Sequence, residues 1–145
     1  MYWTAENLVE MPDDALDVMH ARAVSYPPGA SQYLVVPWGG AIARTGADRS
    51  PMAGRDTRFV VHPFMLWEDP AADAEMMALG RASREDLRPW ATGATYLNFI
   101  ADEGEERLRA GFAGDAYERL ARIKRTWDPD DVFGGNQRIR PAARA

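Results

Sequence analysis

The chain has 145 residues, enough for one domain with a packed core, since a domain of this size buries roughly 68–70% of its unfolded surface. Its net charge of −5 argues against a nucleic-acid partner, because binding to phosphates calls for a basic face. The absence of cysteine excludes disulfides and thiolate chemistry, and two histidines are too few for a histidine-rich metal cluster. We therefore predict no metal site.

The first six residues contain neither a basic region nor a long apolar run, which predicts that there is no signal peptide. Nowhere does the sequence approach the ~18 consecutive apolar residues that suggest a membrane span. We expect a cytoplasmic protein with small-molecule or protein partners and no membrane contact.

The first third of the chain predicts a helix and a strand. Asp13 is placed to cap a helix that runs to about Val24, and the turn 27–29 follows it. Residues 32–44 are rich in β-formers and predict a strand. Gly39-Gly40 lies inside this strand and indicates a bulge or a close approach by another group.

The middle of the chain predicts two more strands around a helix. The first strand covers 58–67, and Pro63 places it at a sheet edge or bends it, because proline cannot donate to a ladder. Asp69-Pro70 is a good helix opening, with a cap followed by proline in the first turn. The helix then runs over 71–81, and a third strand covers 95–100.

Two helices and an extended tail complete the chain. The acidic run at 102–106 predicts the solvated first turn of a helix that ends near Ala110, since acids are favoured at a helix N-terminus. Asp115 and Glu118 have capping-box spacing for the last helix. The inner stripe of that helix is predicted to consist of Tyr117, Leu120, Ala121, Lys124 and Trp127. A further candidate, His62, is interpreted as a strand residue without a catalytic role.

This element order is typical of the α+β class, with a small antiparallel or mixed sheet flanked by helices. Three strands are few for a freestanding sheet in a chain of this length. The sheet is therefore expected to pair with a second copy of the chain or to continue in strands from outside this sequence.

Three motifs in the second half carry a family resemblance. In chain order they are Tyr96-Leu97-Asn98-Phe99 with the acidic run 102–107; Tyr117-Glu118-Arg119-Leu120 with Asp128-Pro129-Asp130; and Val132-Phe133 with Asn136-Gln137-Arg138-Ile139. Each motif alone is weak, but their order and spacing as a set resemble the C-terminal region of berberine-bridge-enzyme-type, FAD-linked oxidoreductases. Residues before 65 resemble the same enzymes more loosely.

The resemblance implies a single partial domain over 1–145. Residues 1–92 would be the latter part of a substrate domain with an antiparallel sheet, and 93–145 the berberine-bridge-type C-terminal segment. In such enzymes an FAD-binding domain precedes the substrate domain, and the C-terminal segment returns to the flavin.

The resemblance also implies roles for four residues. Asn98, Asn136 and Gln137 would contact FAD, because amides donate and accept hydrogen bonds without adding charge. Tyr96 would lie in the substrate cavity beside the flavin, as a base or as part of a proton relay. From the residues alone, a tyrosine such as Tyr96 on a strand is more often a packed aromatic with a satisfied hydroxyl, and both asparagines can be turn or strand-end residues that tie the backbone.

The sequence departs from the family pattern at three places. Gly54-Arg55 stands where His-Arg is usual, Gly134 stands where arginine is common, and Arg138 replaces a common asparagine. The residues of an FAD-binding domain are not in the sequence. We therefore expect this chain alone to bind FAD weakly or not at all, because a few amide contacts cannot offset the cost of immobilising a large cofactor.

Two functions remain open. In the first, the chain supplies part of the substrate cavity and the last flavin contacts of an oxidoreductase for a small organic substrate. It would then need an FAD-binding domain or subunit in cis or in trans, and would be inactive by itself. In the second, it is a non-catalytic α+β module that has lost the flavin and binds a small molecule or forms a homodimer. The retained motif residues favour the first function, and the departures favour the second.

Overall fold

A computed structural model describes residues 1–46, 48–135 and 137–143. The strands are β1 (Tyr2–Trp3), β2 (Glu6–Leu8), β3 (Gln32–Pro37) and β4 (Phe59–Met65), and the helices are α1 (Asp13–Ala23), α2 (Asp73–Glu85), α3 (Glu105–Arg109) and α4 (Ala116–Trp127). Every strand pair is antiparallel, which confirms the predicted α+β class. In the described part of the chain, no helix is long and apolar enough to cross a bilayer.

β4 is the central strand of the sheet. β3 pairs with it along one side, and β1 and β2 follow each other along the other side. The register places Tyr2 opposite Met65 and Glu6 opposite Val61, so the break between β1 and β2 lies opposite Pro63. The prediction of an edge strand is therefore wrong, since β4 is paired along both sides.

A histidine compensates for this central proline. The N–H of Thr4 donates to the Pro63 carbonyl (3.3 Å), a pairing in which residue 63 would ordinarily donate back to the Thr4 carbonyl. Nδ1 of His62 lies 2.7 Å from that carbonyl and takes the place of the missing donor. Because a carbonyl only accepts, Nδ1 carries the hydrogen. No buried carbonyl is left unpaired at this point of the ladder.

One face of the sheet packs against α1 and α2. Leu8 and Val61 meet Met19 of α1, and Tyr2 and Met65 meet Met76 of α2. These contacts form the larger part of the core.

Close packing of α2 on the sheet depends on a glycine. A Cβ added at Gly80 would lie 2.6 Å from the Tyr2 ring and 3.0 Å from the Met65 side chain. Alanine is the better helix former at an ordinary position, so the glycine here serves contact with the sheet.

The beginnings of the helices were predicted with mixed success. At α2, a 3₁₀ turn begins at Pro70, and the Asp69 carboxylate accepts the N–H of Ala71 (2.9 Å), as expected. At α1, however, Pro12 occupies the N-cap position, so Asp13 is not the cap. The capping box predicted for α4 does not form, since Asp115 makes no side-chain cap bond.

Two predicted strands are shortened or absent. The first ends at Pro37 instead of residue 44, because Gly39 and Gly40 adopt positive φ and start a turn. The segment 95–101 is a 3₁₀ turn over Leu97–Phe99 and not a strand. Its backbone ends bond to two different parts of the chain, with Thr95 donating to Ala110 and Ala101 donating to Trp3. No single neighbouring strand pairs with this segment among the described residues.

Candidate functional site

The segment 95–101 covers the sheet face opposite the helices. Ile100 joins a buried cluster with Ala5 and Val60, and Phe99 stacks on His62 with ring centroids 4.7 Å apart. This packing fixes the turn on the sheet and places the motif residues beside it.

The Tyr96 ring is held edge-on by two aromatic side chains. Its centroid is 4.8 Å from that of Trp38 and 4.9 Å from that of Phe99. The ring is partly buried, so only its outer part reaches solvent. Edge-to-face pairs of this kind restrict the ring, and with it the position of the hydroxyl.

Asn98 bonds directly to the tyrosine hydroxyl. Its exposed side chain donates from Nδ2 to the Tyr96 oxygen over 2.8 Å. On an extended strand, residues two apart share a face but stand about 7 Å apart, too far for this bond. The 3₁₀ turn closes that gap, and a strand prediction could not have found the pair.

Gln137 joins the C-terminal tail to the same segment. Its Nε2 donates to the carbonyls of Ile100 (3.2 Å) and Ala101 (3.4 Å). Both amide hydrogens are thereby used within the protein, and the side-chain oxygen is left as an acceptor. The other predicted flavin contact, Asn136, lies outside the described residues.

A groove of about 910 Å³ runs between β1, the 97–108 region and the tail. Asn98 and Gln137 line it, so two of the predicted site residues share one cavity. Its other lining residues include the apolar Ile100, Leu108 and Tyr117 and the cationic Arg138 and Arg140. The size lies within the range of small-molecule sites. Tyr96 is not among the lining residues that the structure describes, but its hydroxyl partner Asn98 is.

A buried ion network lies behind this groove. Glu103 accepts hydrogen bonds from Tyr2 (3.0 Å), Arg84 (3.1 Å) and Arg107 (3.2 Å), and its side chain is only 7% exposed. The prediction that the whole run 102–106 is a solvated helix turn is therefore wrong for this residue. Tyr2 and Arg84 lie 101 and 19 residues away along the chain, so no local pattern indicates these two contacts.

Arg107 connects the network to the sheet. It pairs with Glu6 over 3.2 Å and donates from Nη2 to the Ala5 carbonyl over 2.5 Å. Burial raises the pKa of the Glu6 carboxyl, and the charges of Arg107 and Arg84 act in the opposite direction. Burial and the neighbouring Glu103 also raise the pKa of Tyr2. These contacts fasten the start of α3 to β1 and β2.

The glycine at position 54, where the family usually has histidine, adopts a backbone conformation that favours glycine. Its φ of +66° is left-handed, and an added Cβ would lie 2.7 Å from the Asn7 amide nitrogen. A histidine could not take this place without a shift of the backbone. The following residue, Arg55, donates to the Ile42 carbonyl (2.9 Å) and so ties two loops together.

A second charged cluster holds the loop after α4. The Lys124 ammonium lies 2.8 Å from carboxylate oxygens of both Asp128 and Asp131. Asp128 in turn accepts the N–H groups of Val132 (2.8 Å) and Phe133 (3.1 Å). These contacts fix the path of the loop.

This loop and the end of α4 present an apolar surface to solvent. Trp127, Val132 and Phe133 are 83%, 74% and 84% exposed. We call these three residues the C-terminal patch. The prediction that Trp127 belongs to the buried stripe of α4 is wrong, although Tyr117 and Ala121 of that stripe are buried.

Comparison with known proteins gives matches of sequence and of fold. The family described as "Berberine and berberine like" matches residues 95–140. An uncharacterized FAD-linked oxidoreductase of Bacillus subtilis, YvdP, is 25% identical over 130 residues, which cover 90% of this chain and 29% of that protein. A VAO-type flavoprotein oxidase of Thermothelomyces thermophilus, VAO615, is 36% identical over 86 residues, covering 56% of this chain and 15% of the oxidase.

The fold matches solved structures of the same group. Berberine bridge enzyme from Eschscholzia californica superposes with a TM-score of 0.80 at 23% identity, over 99% of this chain and 33% of that one. The chain thus spans less than a third of the Bacillus relative and a third of the plant enzyme. The resemblance predicted from the motifs is confirmed: residues 95–140 match the berberine-like family, and the chain is similar to a part of FAD-linked oxidoreductases in sequence and to a part of berberine bridge enzyme in fold.

Proposed function

We propose that this chain forms the substrate side of the flavin site in an FAD-linked oxidoreductase that acts on a small organic substrate. The observation that carries the proposal is the Asn98–Tyr96 hydrogen bond at the edge of the groove that Asn98 and Gln137 line. All three residues fall within the segment matched by the berberine family.

The polar groups at the groove suit a flavin. Asn98 keeps its side-chain oxygen and one N–H after bonding to Tyr96, and Gln137 keeps its oxygen. Such groups match a ring system that carries both donors and acceptors. Charged side chains of both signs also line the groove; among them Arg140 would pair with a phosphate of the cofactor, whereas the carboxylates of Asp102 and Glu105 would not. The indole nitrogen of Trp38 is a buried donor without a partner among the described residues, and lies on the side chain next to Tyr96.

In this proposal the chain orients the reactants and handles the proton. FAD, when bound, supplies the acceptor for the hydride that leaves the substrate. As a phenolate, Tyr96 would accept the substrate proton on its oxygen; as a neutral phenol, it would relay the proton by passing its own hydrogen on as it receives that of the substrate. The ring contacts with Trp38 and Phe99 hold that hydroxyl at a fixed position.

We further propose that an FAD-binding domain or subunit, in cis or in trans, completes the site. The amide contacts of this chain alone do not offset the loss of freedom when a cofactor of this size binds. The C-terminal patch supports a covering partner, because three large apolar side chains held in solvent are unfavourable unless something packs on them. The charged contacts of Lys124 keep this loop in place for such a partner.

A second candidate is a non-catalytic module that forms a homodimer through the sheet. The observation in its favour is the outer edge of β3, which pairs only with β4 among the described residues. The backbone N–H of Trp38 donates to the Arg58 carbonyl. Because backbone groups alternate along a strand, those of Tyr33 and Val35, at odd-numbered positions, point away from β4. Val35 and Leu34 are also partly exposed there, at 39% and 40%. Such an edge can pair with a strand of another chain.

Flavin spectroscopy of the purified chain tests the proposal. FAD absorbance and fluorescence are recorded with this chain alone, and then with the FAD-binding portion of the Bacillus relative added. We expect a perturbed spectrum only when both are present, and a weaker one with the Asn98→Ala chain. An unperturbed spectrum in both mixtures would exclude the flavin role. Concentration-dependent dimerisation that a Val35→Lys substitution abolishes would then support the second candidate.

A further inference from the structure

We infer that Asn98 is a positioning residue for Tyr96. The side-chain amide N–H of Asn98 fixes the direction in which the tyrosine hydroxyl offers its hydrogen. This inference rests on the proposed function for its catalytic consequence. It assigns Asn98 a role toward another side chain, beyond that of a flavin contact. The evidence is the geometry of the 96–99 turn.

The first step concerns the direction of the hydrogen bond. Nδ2 of Asn98 can only donate, so the Tyr96 oxygen accepts on that side over 2.8 Å. The hydroxyl hydrogen must then point elsewhere, because an oxygen cannot donate along the bond in which it accepts. The two nearest rings, Trp38 and Phe99, approach the Tyr96 ring itself. Asn98 thus directs the hydroxyl hydrogen away from its own side of the tyrosine oxygen.

The second step concerns why the pair forms. The N–H of Phe99 donates to the carbonyl of Tyr96 (3.0 Å) and closes the 3₁₀ turn. The aromatic contacts hold the ring, and the turn holds the asparagine backbone, so each partner is placed independently of the bond between them. A hydrogen bond between two groups already placed costs little additional side-chain entropy.

Two substitutions distinguish loss of the Asn98–Tyr96 hydrogen bond from reversal of its direction. Asn98→Ala removes the donor and leaves the ring packing in place. Asn98→Asp keeps the size but replaces the donor with a carboxylate, which only accepts. The carboxylate would therefore accept a hydrogen bond from the Tyr96 hydroxyl, which reverses the direction of the bond. If Asn98 acts by setting the direction of the hydroxyl hydrogen, the aspartate variant loses more activity than the alanine variant.

The geometry can be measured on the chain without flavin. Tyrosine labelled with ¹³C at the ring carbon that bears the hydroxyl gives five signals, one for each tyrosine. The Tyr96 signal is assigned by its loss in Tyr96→Phe. We expect Asn98→Ala and Asn98→Asp to move this signal in opposite directions while the other four stay in place. Gln32→Ala, which removes an exposed amide elsewhere, is the matched control and should move none.

The catalytic consequence is measured in the flavin-complemented protein. We expect kcat to fall about tenfold in Asn98→Ala and about a hundredfold in Asn98→Asp, with KM nearly unchanged, because general acid–base assistance contributes about 10²–10⁴-fold in all. Equal losses in the two variants, or an unmoved Tyr96 signal, would overturn the inference. If wild-type protein shows no turnover or flavin perturbation, the proposed function fails, while the tyrosine signals still decide whether Asn98 directs the hydroxyl.

Discussion

The histidine that replaces a proline's missing donor gives a sharp test of the fold. His62→Phe keeps an aromatic ring against Phe99 but removes the donor to the Thr4 carbonyl. Thr4 is fully buried, so its carbonyl is left without a partner. An unsatisfied buried group of this kind costs about 1–3 kcal/mol of unfolding free energy.

The same substitution should cost far less when Pro63 is also replaced. Pro63→Ala introduces a backbone N–H opposite Thr4, in the position from which an antiparallel strand donates to that carbonyl. The carbonyl then has a partner without the histidine. We expect the double variant His62→Phe/Pro63→Ala to be more stable than the sum of the single effects by about 1–2 kcal/mol, a coupling typical of residues that share a partner.

Urea unfolding of the four proteins at pH 8, followed by tryptophan fluorescence, measures the coupling. At this pH a histidine is neutral, so its protonation does not contribute. Pro37→Ala, at the end of β3, is the control for the general effect of proline on the unfolded chain. Additivity within about 0.3–0.5 kcal/mol would refute the idea that His62 supplies the missing donor.

Four further predictions concern pH, the ion network, helix packing and association. Burial lowers the pKa of His62 below its ordinary 6.5, so the contribution of His62 to the free energy of unfolding should be constant above pH 6.5 and decrease as the pH falls below it. Thermal unfolding from pH 8 to 5 should therefore show a flatter profile in His62→Phe. Arg107→Met should lower the unfolding free energy by about 3 kcal/mol, because it leaves buried carboxylates short of a partner, and Arg107→Lys should lose less. Gly80→Ala should cost about 1–3 kcal/mol in urea unfolding through the clash with the sheet, whereas Gly135→Ala, which has open space around it, should be neutral. Phe133→Ser should weaken any self-association seen by sedimentation velocity, because it removes a largely exposed apolar side chain from the C-terminal patch.

The sequence was informative where one residue pattern decides the local structure. β4 was predicted to within a residue or two because it is rich in apolar and β-branched residues. The Asp69-Pro70 opening was also confirmed, since both its cap and its proline act locally. β1 and β2 were missed because strands of two and three residues are too short to show a period.

Elsewhere the structure depends on contacts that no local pattern contains. The segment 95–100 has β-forming residues, yet its two ends form hydrogen bonds with Ala110 and Trp3, which lie on different elements. These tertiary contacts override the β-propensity of the segment. Glu103 lies in an acidic run that usually faces water, and it is buried because Tyr2 and Arg84 from distant positions meet it together with the neighbouring Arg107. Trp127 was wrongly predicted to be buried because helical spacing identifies the apolar face of a helix but not how far along the helix other elements pack on that face.

The misassigned segment is also the one that carries the candidate chemistry, and the two facts have one cause. Tyr96 and Asn98 bond to each other only because the chain turns between them. The turn is held by three separate regions, the first of which is the Ala110 carbonyl that accepts from Thr95. The Trp3 carbonyl holds Ala101, and Gln137 bonds to the Ile100 and Ala101 carbonyls from the tail. A strand would have exposed the two side chains side by side, with no bond between them. The geometry of the pair therefore depends on the N-terminal strand and the C-terminal tail both being in place, which couples the proposed site to completion of the fold.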